Sequence, residues 1–175
     1  KTETVVVNKD GTLANCFVYV KEGLAGRTFD TPKESVKFDQ KGCHYTPHVF
    51  GIMVGQQLEI INSDPTLHNV HAVPKKNTQF NQGQPENTPP IMKKFSKVEV
   101  MVPIKCDVHG WMKAFAGVLD HPFYGVTADA GSVELKGLPP GDYTIEVWHE
   151  KYGTQTQKVT VGAKETKSVD VTFKG

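Results

Sequence analysis

Arginine is nearly missing from the chain, since Arg27 is the one guanidinium among 20 basic residues, and 19 acidic residues bring the formal charge to +1. Recognition of phosphate favours the flat two-pronged guanidinium or a strong positive field. With neither present, nucleic acid is not an expected partner. No apolar run approaches the roughly 20 residues that a helix needs to span a bilayer, so no membrane span is expected. The three cysteines, Cys16, Cys43 and Cys106, cannot all pair with one another, which excludes a disulfide scaffold and leaves at least one thiol for burial or chemistry. Cys16, within Leu13-Ala14-Asn15-Cys16-Phe17-Val18-Tyr19-Val20, reads as a small buried thiol.

Helical periodicity is also almost absent. In its place are short β-branched and aromatic runs bounded by Gly, Pro, Asn and Asp, the signature of an all-β protein. Strands are expected at Thr4–Val7, Cys16–Val20, Ser35–Phe38, Cys43–Tyr45, Leu58–Asn62, His68–Val73, Val98–Lys105, Ala114–Leu119, Ser132–Leu135, Tyr143–His149, Gln155–Val161 and Lys167–Phe173. Their spacing suits a sandwich. The stretch 74–96, rich in Pro, Asn, Gln and Lys, reads as a long polar surface loop. The 175 residues suffice for one large domain or two small ones, and the pattern favours two.

Two segments carry chemistry. Cys106-Asp107-Val108-His109-Gly110-Trp111-Met112 and Leu67-His68-Asn69-Val70-His71 together supply a thiolate, a thioether and imidazoles. Soft sulfurs favour Cu(I) and imidazoles accept Cu(II), so this set suits an ion that alternates between the two states. In 98–106 the even positions are apolar, and strand alternation then turns the Cys106 sulfur inward with Val98, Val100, Val102 and Ile104. His109 and Met112 fall on the loop that follows, where a tight turn can return both toward the sulfur. His68 has to come from another strand, and His71, at an odd offset, points to the opposite face. Taken singly, a cysteine or methionine belongs to the core and a histidine to the surface. The combination assigns His68, Cys106, His109 and Met112 as ligands of one copper ion. His121 and His149, and the pair His44 and His48 around Pro47, lack spaced partners of the right kind; His121 and His149 read as structural or interfacial.

His68-Asn69-Val70-His71 and Cys106-x2-His109-x2-Met112-Lys113 resemble the copper motifs of the amicyanin and plastocyanin branch of the cupredoxin family. Val36-Lys37-Phe38, Cys43-His44-Tyr45-Thr46-Pro47 and Val54-Gly55-Gln56-Gln57-Leu58-Glu59-Ile60-Ile61-Asn62 resemble its first strands. The resemblance implies a Greek-key β-sandwich or barrel over 33–121, with His68, Cys106 and His109 as equatorial ligands, Met112 axial, and Asn69 tying the two ligand segments together. Gly110 departs from the proline that amicyanins carry after the histidine. The resemblance also brings Cys43 toward the copper end, as a free thiol, a second thiolate or a disulfide partner; the free thiol is favoured.

The stretch Val126–Val147, with turns at Asp129–Gly131 and Pro139–Gly141, resembles the carboxypeptidase regulatory-like domain, a small transthyretin-like β-sandwich without catalysis of its own. Its usual first strands around an Asp-Gly turn have a counterpart in Thr4–Asn15. The expected organisation is therefore a copper domain inserted into a second sandwich made of 1–32 and 122–175. The functional expectation is a blue copper carrier of single electrons between a c-type cytochrome or a dehydrogenase and a terminal acceptor, docking near His109 and Trp111, and not an enzyme. Copper trafficking without electron transfer is the alternative. The opening at Lys1 reads as a mature form whose leader has been removed, which with the resemblance places it in the periplasm or outside the cell.

Overall fold

In the computed structural model, which describes residues 2–175, all regular structure is β. The strands are β1 (Phe17–Glu22), β2 (Val36–Lys41), β3 (His44–Thr46), β4 (Val49–Met53), β5 (Leu58–Asn62), β6 (His68–Ala72), β7 (Phe80–Gln84), β8 (Ile91–Lys93), β9 (Glu99–Lys105), β10 (Lys113–Leu119), β11 (Tyr124–Val126), β12 (Gly141–His149) and β13 (Gly153–Val161). Among the described residues no helix is long and apolar enough to cross a membrane. The chain divides into two compact units, Phe29–Pro122 and the pair Lys1–Thr28 with Phe123–Gly175.

The unit Phe29–Pro122 has two sheets, in the orders β3-β2-β5-β8 and β4-β10-β9-β6-β7. Alternation is clearest in β5, where Leu58, Ile60 and Asn62 are buried and the residues between them are not. One core cluster contains Phe38, Leu58 and Ile60 from the first sheet together with Ile52, Val70, Val102, Ala116 and Val118 from the second, the arrangement of a sandwich whose inner faces share one interior.

Polar residues inside this unit fix the connections. Asn62 donates from Nδ2 to the carbonyls of Thr66 (2.9 Å) and Gln84 (2.8 Å), so the inward position at the end of β5 shapes the turn that leads to β6. Glu99 accepts from the amides of Lys75 (2.7 Å), Lys76 (2.8 Å) and Asn77 (3.0 Å). Burial alone would raise its carboxyl, but these donors and the Asn77 side chain hold it below the ordinary glutamate value.

Several expected elements differ. Residues 74–96 are not a continuous loop, because they contain β7 and β8. The β7 strand, Phe-Asn-Gln-Gly-Gln, pairs with β6 through its backbone over five positions while most of its side chains stay partly or fully exposed, so it has no apolar alternation to read. The β4 strand is buried at four of its five positions, with no alternation either. Thr4–Val7 forms only the bridge Val7 to Leu13, and 132–135 and 167–173 are outside the strands. Val133 instead lies against Gly125 of β11, where an added Cβ would meet its Cγ2 at 2.2 Å: side-chain packing takes the place of a ladder.

The other unit is built on the antiparallel sheet β11-β1-β12-β13. Thr127 joins its two chain segments, accepting from the Cys16 amide (3.0 Å) and donating to the Leu13 carbonyl (2.7 Å) through its hydroxyl. Tyr19 donates its hydroxyl to Glu146, which Lys21 also approaches at 3.1 Å. Burial first, and then the carboxylate, push the Tyr19 hydroxyl far above its ordinary range. Cys16 is buried and its thiol is likewise pushed up by desolvation.

Candidate metal centre

The ligand loop leaves β9 at Cys106 and returns as β10. From Val102 onward the expected alternation is present, with Val102, Ile104 and Cys106 buried. Upstream it is not: Glu99 is buried and Val98 exposed. The register explains this, because Ala116 faces Val102 while Val118 faces Glu99. One extra residue on β9 is a bulge, which reverses the inward set. Two backbone bonds fold the loop, from the Met112 amide to the His109 carbonyl (3.0 Å) and from the Cys106 amide to the Met112 carbonyl (3.2 Å).

This turn carries His109 back over the sulfur, with Nδ1 3.9 Å from Cys106 Sγ. His68 begins β6 and is fully buried. Its Nδ1 lies 3.1 Å from His109 Nδ1, and the ring centroids are 4.8 Å apart at 63°. One donor atom from each of His68, Cys106 and His109 falls within 4.8 Å of the others. Met112 is buried in the same core cluster as Cys106. The structure therefore brings two imidazoles and a thiol to one point, with a thioether in the same interior. Soft and borderline donors of this kind fit copper.

Asn69 joins the two segments. Its Oδ1 accepts from the Asp107 amide (2.6 Å), and its Nδ2 donates to Asp107 (3.0 Å) and Asn81 (2.7 Å). The Asn69 carbonyl in turn accepts the Tyr45 hydroxyl at 2.5 Å. Burial, followed by the nearby Cys106 and Asp107, pushes that hydroxyl far up. His71 faces away from the centre, with Nδ1 3.1 Å from Asp107 and Nε2 accepting from Gln79 (2.7 Å). His71 and Asn81 foremost hold the Asp107 carboxyl below its usual value. His48 donates from Nδ1 to the Lys113 carbonyl (2.9 Å), and His121 and His149 are buried.

One neighbour of His68, Asp64, was not singled out in the sequence. Asp64 Oδ2 is 2.8 Å from His68 Nε2 and accepts the Cys43 amide at 2.8 Å, while Oδ1 accepts the Gly42 amide at 2.7 Å. Burial would raise the Asp64 carboxyl, yet the Cys43 amide, the His68 ring and the Gly42 amide together hold it below the ordinary aspartate value. Asp64 falls in Asn62-Ser63-Asp64-Pro65, which reads as a turn; its place four residues before a candidate ligand was the available signal. Cys43 sits beside it at φ 55°, and its carbonyl accepts the Trp111 indole N–H at 2.9 Å. All three cysteines are free thiols.

No curated protein sequence matches the chain. Residues 119–174 match the carboxypeptidase regulatory-like domain. Among solved structures, the chain is similar to the copper-containing nitrite reductase of Thermus scotoductus (17% identity, TM-score 0.46, 58% of this chain). It spans 25% of the length of that protein. It is also similar to amicyanin from Paracoccus versutus (18% identity, TM-score 0.42, 58% of this chain and 96% of that one). A third similar structure is a purple cupredoxin from Nitrosopumilus maritimus (17% identity, TM-score 0.40, 47% and 97%). The stretch Val126–Val147, in which the sequence resembles the carboxypeptidase regulatory-like domain, falls inside the residues that this family matches.

Proposed function

We propose that the unit Phe29–Pro122 holds one copper ion between His68, Cys106, His109 and Met112 and passes single electrons between redox proteins of the periplasm or the cell exterior. We further read this unit as a copper domain inserted into a carboxypeptidase regulatory-like sandwich. The observation that carries the first reading is the convergence of His68 Nδ1, His109 Nδ1 and Cys106 Sγ. Bound there, copper would supply a one-electron couple. The chain's own part is to hold the donors still: β6 carries His68, Cys106 directly follows β9, and Asn69 ties the two segments.

Exposure favours electron transfer over release of the ion. His68, Cys106 and Met112 are buried, whereas only His109 is partly open to solvent. Delivery of the ion would need the sulfurs accessible. Transfer of an electron needs only one ring edge near the surface. Beside His109 on the ligand loop are Val108 and Trp111, exposed by 53 and 59%, and the His109 and Trp111 rings are 5.2 Å apart. Such an apolar rim suits a small and short-lived redox interface.

The test is an absorption spectrum during addition of Cu(II) to the metal-free protein. The expected result is an intense visible thiolate-to-copper band that saturates at one ion per chain and bleaches with a one-electron reductant. A protein that stays colourless under Cu(II) overturns the reading; one that binds Cu(I) alone and surrenders it to a chelator as fast as a free thiol favours trafficking.

A further inference from the structure

We propose that Asp64 is a positioning residue of the metal centre: its carboxylate holds His68 in the form protonated at Nε2, with Nδ1 aimed at Cys106 and His109, and its negative charge biases the centre toward oxidised copper. The inference rests on the copper reading given above and adds to it a fixed anion behind one ligand.

An ionised carboxylate only accepts hydrogen bonds. At 2.8 Å from Asp64 Oδ2, His68 Nε2 must therefore carry the hydrogen. In the neutral ring this leaves Nδ1 as the lone-pair nitrogen, and that is the atom 3.1 Å from His109 Nδ1. A histidine that could rotate or exchange its hydrogen between nitrogens would offer a metal the wrong atom part of the time.

The carboxylate is itself held on the opposite side. Gly42 and Cys43, at φ 63° and 55°, form the two-residue turn between β2 and β3, a conformation with both central residues left-handed. Their amides point at Asp64, at 2.7 and 2.8 Å. Three N–H groups thus fix both carboxylate oxygens, and the side chain cannot swing. Because Oδ2 already accepts two of them, the nearby group of Cys43, Asp64 and His68 is occupied by hydrogen bonding and is not read as a second ion site. Cys43 also accepts the Trp111 indole, so one turn braces His68 through Asp64 and the ligand loop through Trp111.

The consequence for copper is electronic. A partner that accepts the hydrogen of a ligand imidazole raises the basicity of its other nitrogen and orients the ring, and loss of such partners typically costs about 10- to 100-fold in metal affinity or activity. An anion should act more strongly on the doubly charged ion than on the singly charged one.

The experiment compares the parent protein with Asp64→Asn and Asp64→Glu. In the metal-free parent at neutral pH, ring nitrogen NMR is expected to show His68 protonated at Nε2 and bare at Nδ1. In Asp64→Asn, one amide oxygen has to replace two carboxylate oxygens, and its NH2 group opposes the N–H donors. The His68 ring is then expected to populate both neutral forms. With copper bound, the visible band should remain while preference for Cu(II) over Cu(I) falls about tenfold, which raises the potential by about 59 mV for a one-electron couple. Asp64→Glu, which keeps the charge, should recover part of that shift.

A parent His68 carrying its hydrogen at Nδ1 overturns the proposal even if no variant folds. A tautomer and potential unchanged in Asp64→Asn overturn it while leaving the copper reading intact. A parent that takes up no copper overturns that earlier reading and the redox half of this one, and the tautomer measurement on the metal-free protein still decides the positioning half.

Discussion

His68 and His109 present the same atom to the same point from unlike supports. His68 opens a central strand, is fully buried, and has its far nitrogen on Asp64. His109 stands on a loop of five residues between Cys106 and Met112, partly open to solvent, and its ring meets exposed Trp111 instead of a carboxylate. A ligand set held equally on all sides would store an ion well and exchange electrons poorly. Here rigidity is placed on the inner imidazole, and access on the outer one. The centre therefore has an inside, built by β6, β9 and the β2–β3 turn, and a single edge facing solvent.

The sulfur lies on the inner side of this division, and its loss is expected to have the largest effect. Cys106→Ser should abolish the visible band, because a hydroxyl does not replace a soft anionic thiolate. A Cys106→Ser protein with the parent spectrum would remove Cys106 from the ligand set.

The two imidazoles can then be set against each other by replacing each with glycine. His109→Gly opens a gap at the surface, so added imidazole should restore the band, and folding stability should change by less than about 1 kcal/mol, as for surface substitutions generally. His68→Gly opens a cavity in the interior and removes a donor from Asp64. It should cost about 2–4 kcal/mol in denaturant unfolding, and imidazole should fail to restore it. Equal rescue of both variants would erase the contrast between inner and outer ligands.

Much of this centre was legible in the sequence, and the rest was hidden for identifiable reasons. Alternation from Val102 to Cys106 and the odd offset between His68 and His71 are local properties of a strand, and the structure keeps both: Cys106 is buried, and His71 turns to Asp107. The bulge that buries Glu99 depends on how β9 registers against β10, which no window of β9 contains. β7 escaped notice because a strand paired by backbone and exposed through its polar side chains carries no periodic signal. Asp64 was hidden differently. Its contacts need the Gly42 and Cys43 amides, 22 and 21 residues away in sequence, and these reach it only once β2 and β5 have paired within one sheet.

Met112 tests the inner side with a smaller change. Met112→Leu nearly conserves volume in a buried position, so its stability cost should stay under about 1.5 kcal/mol. If Met112 is the axial ligand, the visible band should persist while the potential rises, since axial donation favours Cu(II) and the axial ligand tunes the potential of such sites. An unchanged potential would confine Met112 to packing.

Trp111 tests the outer edge, and there the expected effect on the centre itself is the smallest. Its indole donates one hydrogen bond to the Cys43 carbonyl while 59% of the residue is exposed. Trp111→Lys should therefore cost no more than about 0.5–1.5 kcal/mol, the net worth of one such bond, and should leave the copper spectrum in place. What changes is the rim around His109. A cation in place of an apolar ring weakens a small redox interface and repels a basic partner such as many c-type cytochromes, so stopped-flow electron exchange with a cytochrome should slow severalfold, with a steeper dependence on salt. If the variant exchanges at the parent's rate across a range of ionic strength, electrons leave by another face and the accessible edge of His109 is not the exit. If it unfolds instead, Trp111 belongs to the inner side of the division, bracing the β2–β3 turn that holds Asp64.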